Sequence, residues 1–583
     1  MAIRRTDSPR SNQVEHSTRS TVIRWLFSST STAMLLMVLA FVVYMANPRF
    51  MARADSLPAR LLPYSILMEG NLDLNEFAWI YPSDHRPYFL FETNSGRWLS
   101  AYPIASALLA LPVTAPVAWL LMREKVPVDD VRFRLATVVT ERVAAAAMAA
   151  LSVALIFVAL TELVRVPSAL AIAAVYAFGT SLWSTASQAL WQHGPAALAL
   201  AAASLMLVRE PTGRRLTAAG AWLALAVLVR APMVTFAFAG FAFVLRQHPR
   251  YLVRFLIVPI TGGIALLWYN STLAGLFVGG FSGDSFEAPS LENLAGLLVS
   301  PGRGLLLFTP LAIYGLVGSV RGGSAWLRYL KLGLWLHLGL YASWAGWAGG
   351  NCFGPRLLSE ALPAYALCAA PAIERFWAIP RGRWVLSILA VWGVFVQLVG
   401  VCCDDSLIQH SRVNSAWNLR RPQILDTVLR CGTGRPSLAP LLMQMWRDPR
   451  PVPIAVLPVD ALAGSLVTSA LPEAMARGEE HTVHIEVRNG SEIPWPAWVD
   501  YGEPGEVLVE ARWWGLDKSG LSGTHEVSLS RNLHPEESLS LVLPMRAPER
   551  PGRYRLDISV IQHVGFLNNT WGPASFQQEI RVE

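Results

Sequence analysis

The chain has 583 residues, of which 53% are hydrophobic and 15% are charged. A soluble protein could not bury so many long apolar runs, so the composition predicts a polytopic membrane protein. The net charge of +7 lies mostly in short loops, which favours membrane orientation over nucleic-acid binding.

The N-terminal segment predicts a cytoplasmic start and a retained first span. Residues 1–24 contain five arginines, and the apolar run 25–46 follows them without a small-residue cleavage site. Eleven further apolar runs lie at residues 103–122, 135–163, 167–187, 192–208, 216–230, 232–246, 252–275, 304–320, 329–347, 356–374 and 384–402.

Basic loops predict which of these twelve runs cross the membrane. Four loops rich in arginine, near residues 209–215, 246–254, 321–331 and 375–383, should be cytoplasmic. Five runs lie between the basic N-terminus and the first of these loops, so one run should not cross. We assign this role to 103–122, as an interfacial or re-entrant segment, because it contains Pro103, Pro112 and Pro116. The basic residues at 123–134 argue against this choice. The expectation is eleven crossings and an extracytoplasmic C-terminus.

The long first outer loop, residues 48–102, carries the strongest candidate for a catalytic carboxylate. Asp55 precedes an apolar stripe that includes Leu57, Leu61 and Leu62, and this stripe could lie in the membrane interface. After the break at Gly70, Asp73 and Glu76 form a second acidic group. The alternative is an ordinary solvated loop.

The predicted topology brings other ionisable residues to the same outer face. They are His193, Arg230, Arg303 and Arg356. Charged groups at span edges are functional candidates. A helix-cap or interfacial histidine and snorkelling arginines are the alternatives, although random snorkelling should favour the cytoplasmic side. An arginine offers paired, charge-assisted hydrogen bonds to phosphate, and His193 could donate to a ligand or bind a metal.

A set of motifs resembles a known family. They are Asp55 with Gly70, GRWLSAYPIASALLALP from Gly96 to Pro112, SQALWQHGPAAL from Ser187 to Leu198, LAVLVRAP from Leu225 to Pro232, SPGRGLLLFTP from Ser300 to Pro310, and FGPRLLSEALP from Phe353 to Pro363. Together they resemble bacterial glycosyltransferases of the GT-C fold, the protein O-mannosyltransferases and lipid A aminoarabinose transferases. The resemblance covers roughly residues 20–402.

The resemblance implies a GT-C-like domain over residues 25–402, with about 11 to 13 transmembrane helices. It implies that Asp55 is the catalytic base, that a polyprenyl-phosphate sugar is the donor, and that a lipid, glycan or protein is the acceptor. Asp73 and Glu76 would then contact acceptor or metal. The family often has an acidic pair where this chain has Asp55-Ser56, and Tyr-Pro-Pro where it has Tyr102-Pro103-Ile104. The first departure argues against a protein acceptor.

The composition changes after the last apolar run. Residues 403–457 form a Pro- and Arg-containing connector, and 458–583 show short alternating runs between turns. This pattern predicts an extracytoplasmic, immunoglobulin-like β-sandwich. Its tryptophans could pack in the core or stack on sugar. They are Trp495, Trp498, Trp513, Trp514 and Trp571. The five cysteines lack metal-ligand spacing, and a bridge between Cys403 and Cys431 is left open.

Three classes of function remain. A membrane glycosyltransferase in the plasma membrane accounts for the polar groups on the outer face. A transporter should show repeat symmetry and mid-membrane charges, of which Glu141 and Arg142 are the only candidates. A non-catalytic membrane protein displaying the sandwich would need no such outer face. Cofactors stay undetermined, with a divalent metal as an open alternative, and no motif supports nucleotide hydrolysis, esterase or zinc-protease activity.

Overall fold

The computed structural model describes residues 29–47, 54–80, 88–274, 286–320, 324–350, 352–403, 416–429, 431, 448, 450–452, 454, 456–497, 505–516, 520–564 and 568–583. The N-terminal tail 1–24 and much of the connector 403–457 lie outside these ranges. The described chain is helical up to Cys403 and mainly β-structured from Gly464 onward, as the sequence predicts.

Sixteen helices are described in the N-terminal part and the connector. In chain order they are α1 (Ser29–Met45), α2 (Leu57–Tyr64), α3 (Ala105–Arg123), α4 (Val131–Thr161), α5 (Val166–Phe178), α6 (His193–Val208), α7 (Gly213–Val229), α8 (Val234–Gln247), α9 (Leu252–Tyr269), α10 (Leu291–Val299), α11 (Leu305–Phe308), α12 (Ala312–Val317), α13 (Trp326–Ala342), α14 (Leu362–Trp377), α15 (Pro380–Cys403) and α16 (Gln423–Leu429).

Four helical segments in the described ranges are long and apolar enough to cross a membrane. They are Ala105–Arg123, Val131–Thr161, Pro249–Thr272 and Pro380–Cys403. Several other apolar helices, such as α5 and α6, are shorter. The chain is therefore a membrane protein with several apolar helices, and eleven crossings stay a prediction.

Two predicted runs differ from expectation. Run 103–122 forms the continuous helix α3 with Pro112 and Pro116 inside it, so the prolines give no reason to exclude it as a span. Run 304–320 does not form one span-length helix. It divides into α11 and α12 around Pro310, which lacks the N–H that a continuous helix needs.

The centre of the helical part is α4, whose small side chains allow close packing. Its Ala144, Ala145, Ala146, Ala149 and Ala150 are buried, and α4 packs on α1 and α6. Asp130 caps its N-terminus by accepting a 2.7 Å hydrogen bond from Arg132 N. At α7, a Cβ on Gly220 would lie 2.0 Å from the Phe255 carbonyl oxygen, so glycine is required where α9 approaches.

The first outer loop contains a small hairpin that bears on the site. Strands β1 (Leu90–Glu92) and β2 (Trp98–Ser100) pair antiparallel, with Leu90 opposite Ser100. The turn between them includes Gly96 at a φ of 76°, in the left-handed region that glycine tolerates. The hairpin places the residues just before β1 and just after β2 side by side.

The C-terminal part contains two sheets that share one core. Its strands are β3 (Gly464–Thr468), β4 (Ala474–Met475), β5 (Glu480–Asn489), β6 (Val507–Gly515), β7 (Gly520–Ser528), β8 (Ser538–Arg546), β9 (Gly552–Val564) and β10 (Asn568–Val582). One sheet has the order β4-β10-β9-β6-β7, and the other has the order β3-β5-β8. All neighbours are antiparallel except β4 and β10.

The core is formed by side chains that alternate between buried and exposed along the strands. Val483, Ile485 and Val487 on β5 are buried between exposed neighbours. Trp495 and Trp513 are fully buried, as expected for core residues, whereas Trp498 and the Trp571 side chain lie outside the described set. The connector packs on the helical part, since Val131 N donates to Val452 O and Ile454 N donates to Asp129 O. Cys403 and Cys431 form a disulfide.

Candidate functional site

Asp55 lies in a short 3₁₀ turn, Ala54–Ser56, that leads into α2. The hairpin β1-β2 brings two tyrosines to its carboxylate. Tyr88, just before β1, and Tyr102, just after β2, both donate to Asp55 Oδ1, the latter at 3.2 Å. The other oxygen, Oδ2, lies 2.5 Å from Arg356 Nη1. Asp55 is therefore held at both oxygens, with 21% of its side chain exposed.

Arg356 contacts Asp55 although the two residues lie near opposite ends of the helical part of the sequence. It begins the 3₁₀ turn Arg356–Ala361 that leads into α14, and its guanidinium carbon lies 4.9 Å from the centre of the Trp191 ring. Its side chain is 13% exposed. Its Nε has no hydrogen-bond partner in the described residues. Arg356 thus keeps a buried donor unused beside a carboxylate.

Two opposing effects act on the pKa of Asp55, which belongs to the outer loop. Burial favours the neutral acid and raises the pKa, but the charge of Arg356 and the hydrogen bonds from Tyr88, Arg356 and Tyr102 favour the carboxylate. The attractive interactions win, and the pKa of Asp55 lies below its ordinary value. The group is therefore an ionised carboxylate at neutral pH.

A second polar cluster surrounds the fully buried carboxylate of Glu360. Its Oε1 accepts hydrogen bonds from Arg230 Nε at 2.8 Å and from Tyr341 OH at 2.6 Å. Its Oε2 bonds to His193 Nδ1, and His337 Nε2 lies 3.6 Å from Oε1. Buried charges are costly unless they are paired and hydrogen-bonded. The carboxylate of Glu360 is the shared partner of Arg230, His193 and His337.

The guanidinium of Arg230 is occupied by the protein. Besides Glu360, it donates from Nη2 to Tyr341 OH at 2.9 Å and from Nη1 to Gln192 Oε1 at 3.0 Å. The local sequence positions this side chain. Arg230 follows the last residue of α7 and precedes the 3₁₀ turn Ala231–Met233, which contains Pro232. Arg230 therefore orders the cluster and has fewer unused donors than Arg356.

The two clusters are neighbours. Arg356 and Glu360 belong to the same 3₁₀ turn, so one element supplies a cation to Asp55 and a carboxylate to Arg230. The WQHG segment contributes to both, since Trp191 lies beneath Arg356 and His193 bonds to Glu360. The rings of Trp191 and His193 meet edge to face at 6.4 Å. Asp55, Arg356, Trp191, His193 and Glu360 thus form a continuous chain of contacts.

Arg303 does not join these clusters. Its Nε donates to Ala348 O at 2.8 Å, Nη1 donates to Cys352 O at 2.7 Å and to Gln423 Oε1 at 2.8 Å, and Nη2 donates to Gly350 O at 2.8 Å. These contacts fix the backbone of the GGNCFG segment against α16. Arg303 therefore has a structural role in this segment, and its predicted role as a phosphate ligand stays a prediction.

Asp73 and Glu76 also lie apart from Asp55. Asp73 accepts a long 3.4 Å hydrogen bond from Asn75 N, within its own turn. Burial, joined by the charges of Asp73 and Glu69, raises the pKa of Glu76. Within the described residues, neither carboxylate bonds to Asp55, and their role as acceptor or metal contacts stays a prediction.

Sequence reasoning missed four residues that complete the site. They are Tyr88, Tyr102, Tyr341 and Glu360. Glu360 carried a usable signal, because an acidic residue in the otherwise apolar LLSEALP stretch needs a buried partner. Tyr102 stood in the motif resemblance, but as part of Tyr102-Pro103-Ile104 and without a role. Tyr88 and Tyr341 carried no signal, since their positions depend on the hairpin and on the packing of α13. In the described part of the chain, no group of three or more His, Cys, Asp and Glu side chains is placed to hold a metal ion.

No protein-family model and no curated protein matches the sequence. Among solved structures, the oligosaccharyltransferase of Archaeoglobus fulgidus in its apo form aligns with 72% of this chain and 58% of its own, at 12% identity and a TM-score of 0.35. A β-glucosidase from Listeria innocua aligns with 21% of this chain and 16% of its own, at 17% identity and a TM-score of 0.14. The chain therefore spans less than two thirds of the length of both proteins, and neither likeness is close enough to carry an argument.

Proposed function

We propose that the protein is a membrane glycosyltransferase that moves a sugar from a polyprenyl-phosphate donor to a lipid or glycan acceptor at the outer face of the plasma membrane. A protein acceptor is the less favoured alternative, because the chain has Ser56 where an acidic pair is usual. The observation that carries the proposal is the 2.5 Å contact between Asp55 and Arg356 in a partly open site. The motif resemblance selects Asp55, and the predicted outer face selects Arg356.

Asp55 acts as the general base in this proposal. An acceptor hydroxyl or amine must lose a proton as it attacks the anomeric carbon of the sugar. The attack forms the new glycosidic bond, breaks the bond from the anomeric carbon to the phosphate oxygen, and leaves polyprenyl phosphate. Asp55 Oδ2 receives the proton. The tyrosines on Oδ1 hold the carboxylate in one orientation, which supports a positioned base.

Arg356 receives the donor phosphate. Its unpartnered Nε supplies a donor, and its Nη1 is released from Asp55 when the phosphate competes for it. This exchange has a second consequence. Loss of the neighbouring cation raises the pKa of Asp55, so the carboxylate becomes a stronger base when the donor is bound. Arg230, His193 and Glu360 support the site from behind Trp191.

The mid-membrane charges that would favour a transporter have structural partners. Glu141 accepts a 2.9 Å hydrogen bond from Leu190 N and lies 3.8 Å from Arg60. Arg142 donates to the carbonyl oxygens of Tyr44 and Asn47 at the end of α1. These contacts hold α4 against the neighbouring segments. No observation favours transport over transfer.

An extracytoplasmic position of the C-terminal sheets belongs to the same proposal. The disulfide between Cys403, at the end of α15, and Cys431 supports it, because disulfides persist on the oxidising side of the membrane. The donor chemistry of the proposal requires the same side for the Asp55 loop.

The direct test uses membranes that contain the full chain and a polyprenyl-phosphate donor with a labelled sugar. We expect wild-type membranes to deplete the donor and form labelled product, and Arg356→Gln membranes to retain only a small residual rate of transfer. Arg123→Gln is the matched control, because that exposed arginine contacts its sequence neighbours Glu124 and Trp119 and lies outside both polar clusters. Donor consumption that is equal in wild-type and empty membranes, across sugars and acceptors, would contradict the proposal.

A further inference from the structure

The connector helix α16 contacts the segment that carries Arg356. Its first residue, Gln423, is 2% exposed. The side-chain Oε1 of Gln423 accepts hydrogen bonds from Gly354 N at 2.9 Å and from Arg303 Nη1 at 2.8 Å. Its Nε2 donates to Cys352 O at 2.8 Å. One amide from the connector therefore bonds to the backbone of residues 352–354 at both a donor and an acceptor.

A short series of hydrogen bonds leads from Gln423 to Asp55. Gly354 N donates to Gln423, and Gly354 O accepts from Arg356 N at 3.0 Å. Arg356 Nη1 then contacts Asp55 Oδ2. Gly354 is packed closely, because a Cβ on it would lie 2.7 Å from Phe308 Cδ1, and its φ of 67° favours glycine. The position of Arg356 therefore depends on where the connector holds Gly354.

A covalent bond and apolar contacts hold α16 on the helical part. Cys431, just after the end of α16, is disulfide-bonded to Cys403 at the end of α15, 28 positions earlier. Ile424, the second residue of α16, is buried in one cluster with Phe353. A crosslink of this kind limits how far the enclosed chain can move from its partner. The disulfide therefore keeps Gln423 beside residues 352–354.

We propose that Gln423 is a positioning residue of the transfer site, which sets Arg356 opposite Asp55, and that the disulfide of Cys403 and Cys431 holds Gln423 in place. This inference rests on the transferase function proposed above. Gln423 acts through the backbone of the segment before Arg356, and the connector is in this way a part of the transfer site.

Loss of the Gln423 amide should act on Asp55 through Arg356. Tyr88 and Tyr102 reach Asp55 from the hairpin β1-β2, whereas Arg356 comes from the segment that Gln423 holds. The charge of Arg356 favours the ionised form of Asp55, so a displaced Arg356 makes this carboxylate easier to protonate. The acid limb of kcat/KM should then move to higher pH.

The first measurement is kcat/KM for labelled-sugar transfer as a function of pH in matched membranes. Gln423→Met keeps the length of the side chain and removes its hydrogen-bonding atoms. We expect kcat/KM to fall roughly 5- to 50-fold, as the loss of one or two hydrogen bonds allows, and the acid limb to move to higher pH. When Gln423→Met is added to Arg356→Gln, the acid limb should move no further.

The matched control is Asn489→Leu in the C-terminal sheets. Asn489 is also a fully buried amide, and its Nδ2 donates to the carbonyl oxygens of Ile493 and Leu533 at 2.9 Å each. This variant removes comparable hydrogen bonds and keeps a side chain of similar size. It should keep the wild-type acid limb, so a general loss of stability is separated from a change at Asp55.

The second measurement does not depend on sugar transfer. Unfolding temperatures in detergent are compared for Asp55→Asn, Arg356→Gln and their double variant. In a chain with Gln423, the two losses should be non-additive because the groups contact each other. In a chain with Gln423→Met, they should add. If wild-type membranes transfer no sugar, the proposed function fails, and this comparison still decides whether Gln423 positions Arg356.

A variant that leaves Gln423 unchanged tests the disulfide. Cys403→Ser with Cys431→Ser should move the acid limb in the same direction as Gln423→Met, and it decides the kinetic test if Gln423→Met does not accumulate. Two results would overturn the proposal. One is a wild-type acid limb in Gln423→Met, even where kcat/KM is lower. The other is a non-additive loss at Asp55 and Arg356 that persists in Gln423→Met.

Discussion

Asp55 and Arg356 are 301 positions apart in the sequence and are joined by a contact of 2.5 Å between Oδ2 and Nη1. The pair connects the first outer loop to the turn that begins α14. Because the same turn carries Glu360, a single element links the partly buried carboxylate of Asp55 to the buried cluster around Arg230.

The ion pair predicts a shift in the pH dependence of transfer. In the free protein, Arg356 keeps the pKa of Asp55 below its ordinary value, whereas burial acts in the opposite direction. In Arg356→Gln the cation is lost and burial remains, so the pKa of Asp55 should rise. The acid limb of kcat/KM, which reports the free enzyme, should therefore move to higher pH.

The measurement is kcat/KM for labelled-sugar transfer as a function of pH in matched membranes. Arg356→Lys restores the positive charge but not the paired N–H donors of a guanidinium. It should bring the acid limb back toward its wild-type position, with transfer still reduced roughly 10- to 150-fold relative to wild type. An acid limb that is unchanged in Arg356→Gln would mean that Asp55 is not the titrating base.

The cluster around Glu360 predicts a strong dependence of stability on charge balance. Glu360→Gln should leave Arg230 buried without a counter-charge and cost about 3 to 5 kcal/mol. The double variant Glu360→Gln with Arg230→Gln should lose less than the sum of the single variants. Thermal unfolding in detergent measures this. Additive losses would show that the two groups do not depend on each other.

The C-terminal sheets should fold without the helical part. Their core includes Leu457, Val483, Trp495 and Trp513 and is closed by residues of the two sheets themselves. A fragment from Leu457 to Glu583 should therefore be soluble and melt cooperatively. Circular dichroism measures the transition. Insoluble or molten fragments from several start points near residue 457 would show that the core needs the membrane part.

Much of the helical pattern could be predicted because apolar periodicity and composition are local properties. The helices α4, α6 and α13 lie where the apolar runs predict them. The break between α11 and α12 was missed because an uninterrupted apolar sequence conceals the effect of Pro310. Conversely, the prolines of α3 were overvalued, since a helix packed on protein accommodates them.

Prediction of the site was limited by long-range contacts. Sequence reasoning selected Asp55, His193, Arg230 and Arg356, the last three from the predicted topology, and the structure brings these four to adjoining clusters. It could not separate them from Arg303, whose guanidinium is bonded to backbone carbonyls. The carbonyl positions of a folded loop are not visible in a sequence. The same holds for Tyr88, which reaches Asp55 only through the hairpin.

The position of the C-terminus gives a further prediction. An odd number of crossings places Glu583 on the outer face, together with the Asp55 loop. A reporter that is active only outside the cytoplasm should work when fused after Glu583, and a reporter that is active only in the cytoplasm should not. The disulfide of Cys403 and Cys431 supports this side. The reverse reporter pattern would require an even number of crossings.

The central claim is that Asp55 is the general base of a sugar-transfer reaction. Asp55→Asn preserves the shape of the side chain and its contacts with the two tyrosines but removes its basicity. We expect a normally inserted protein whose transfer falls about 100- to 10,000-fold. Asp73→Asn and Glu76→Gln, which alter carboxylates of the same loop that do not contact Asp55, should lose much less.

The decisive measurement is transfer of labelled sugar from a polyprenyl-phosphate donor by membranes that contain equal amounts of wild-type, Asp55→Asn, Asp73→Asn and Glu76→Gln protein. The account predicts near-complete loss in Asp55→Asn alone. Transfer by Asp55→Asn at close to the wild-type rate would contradict it.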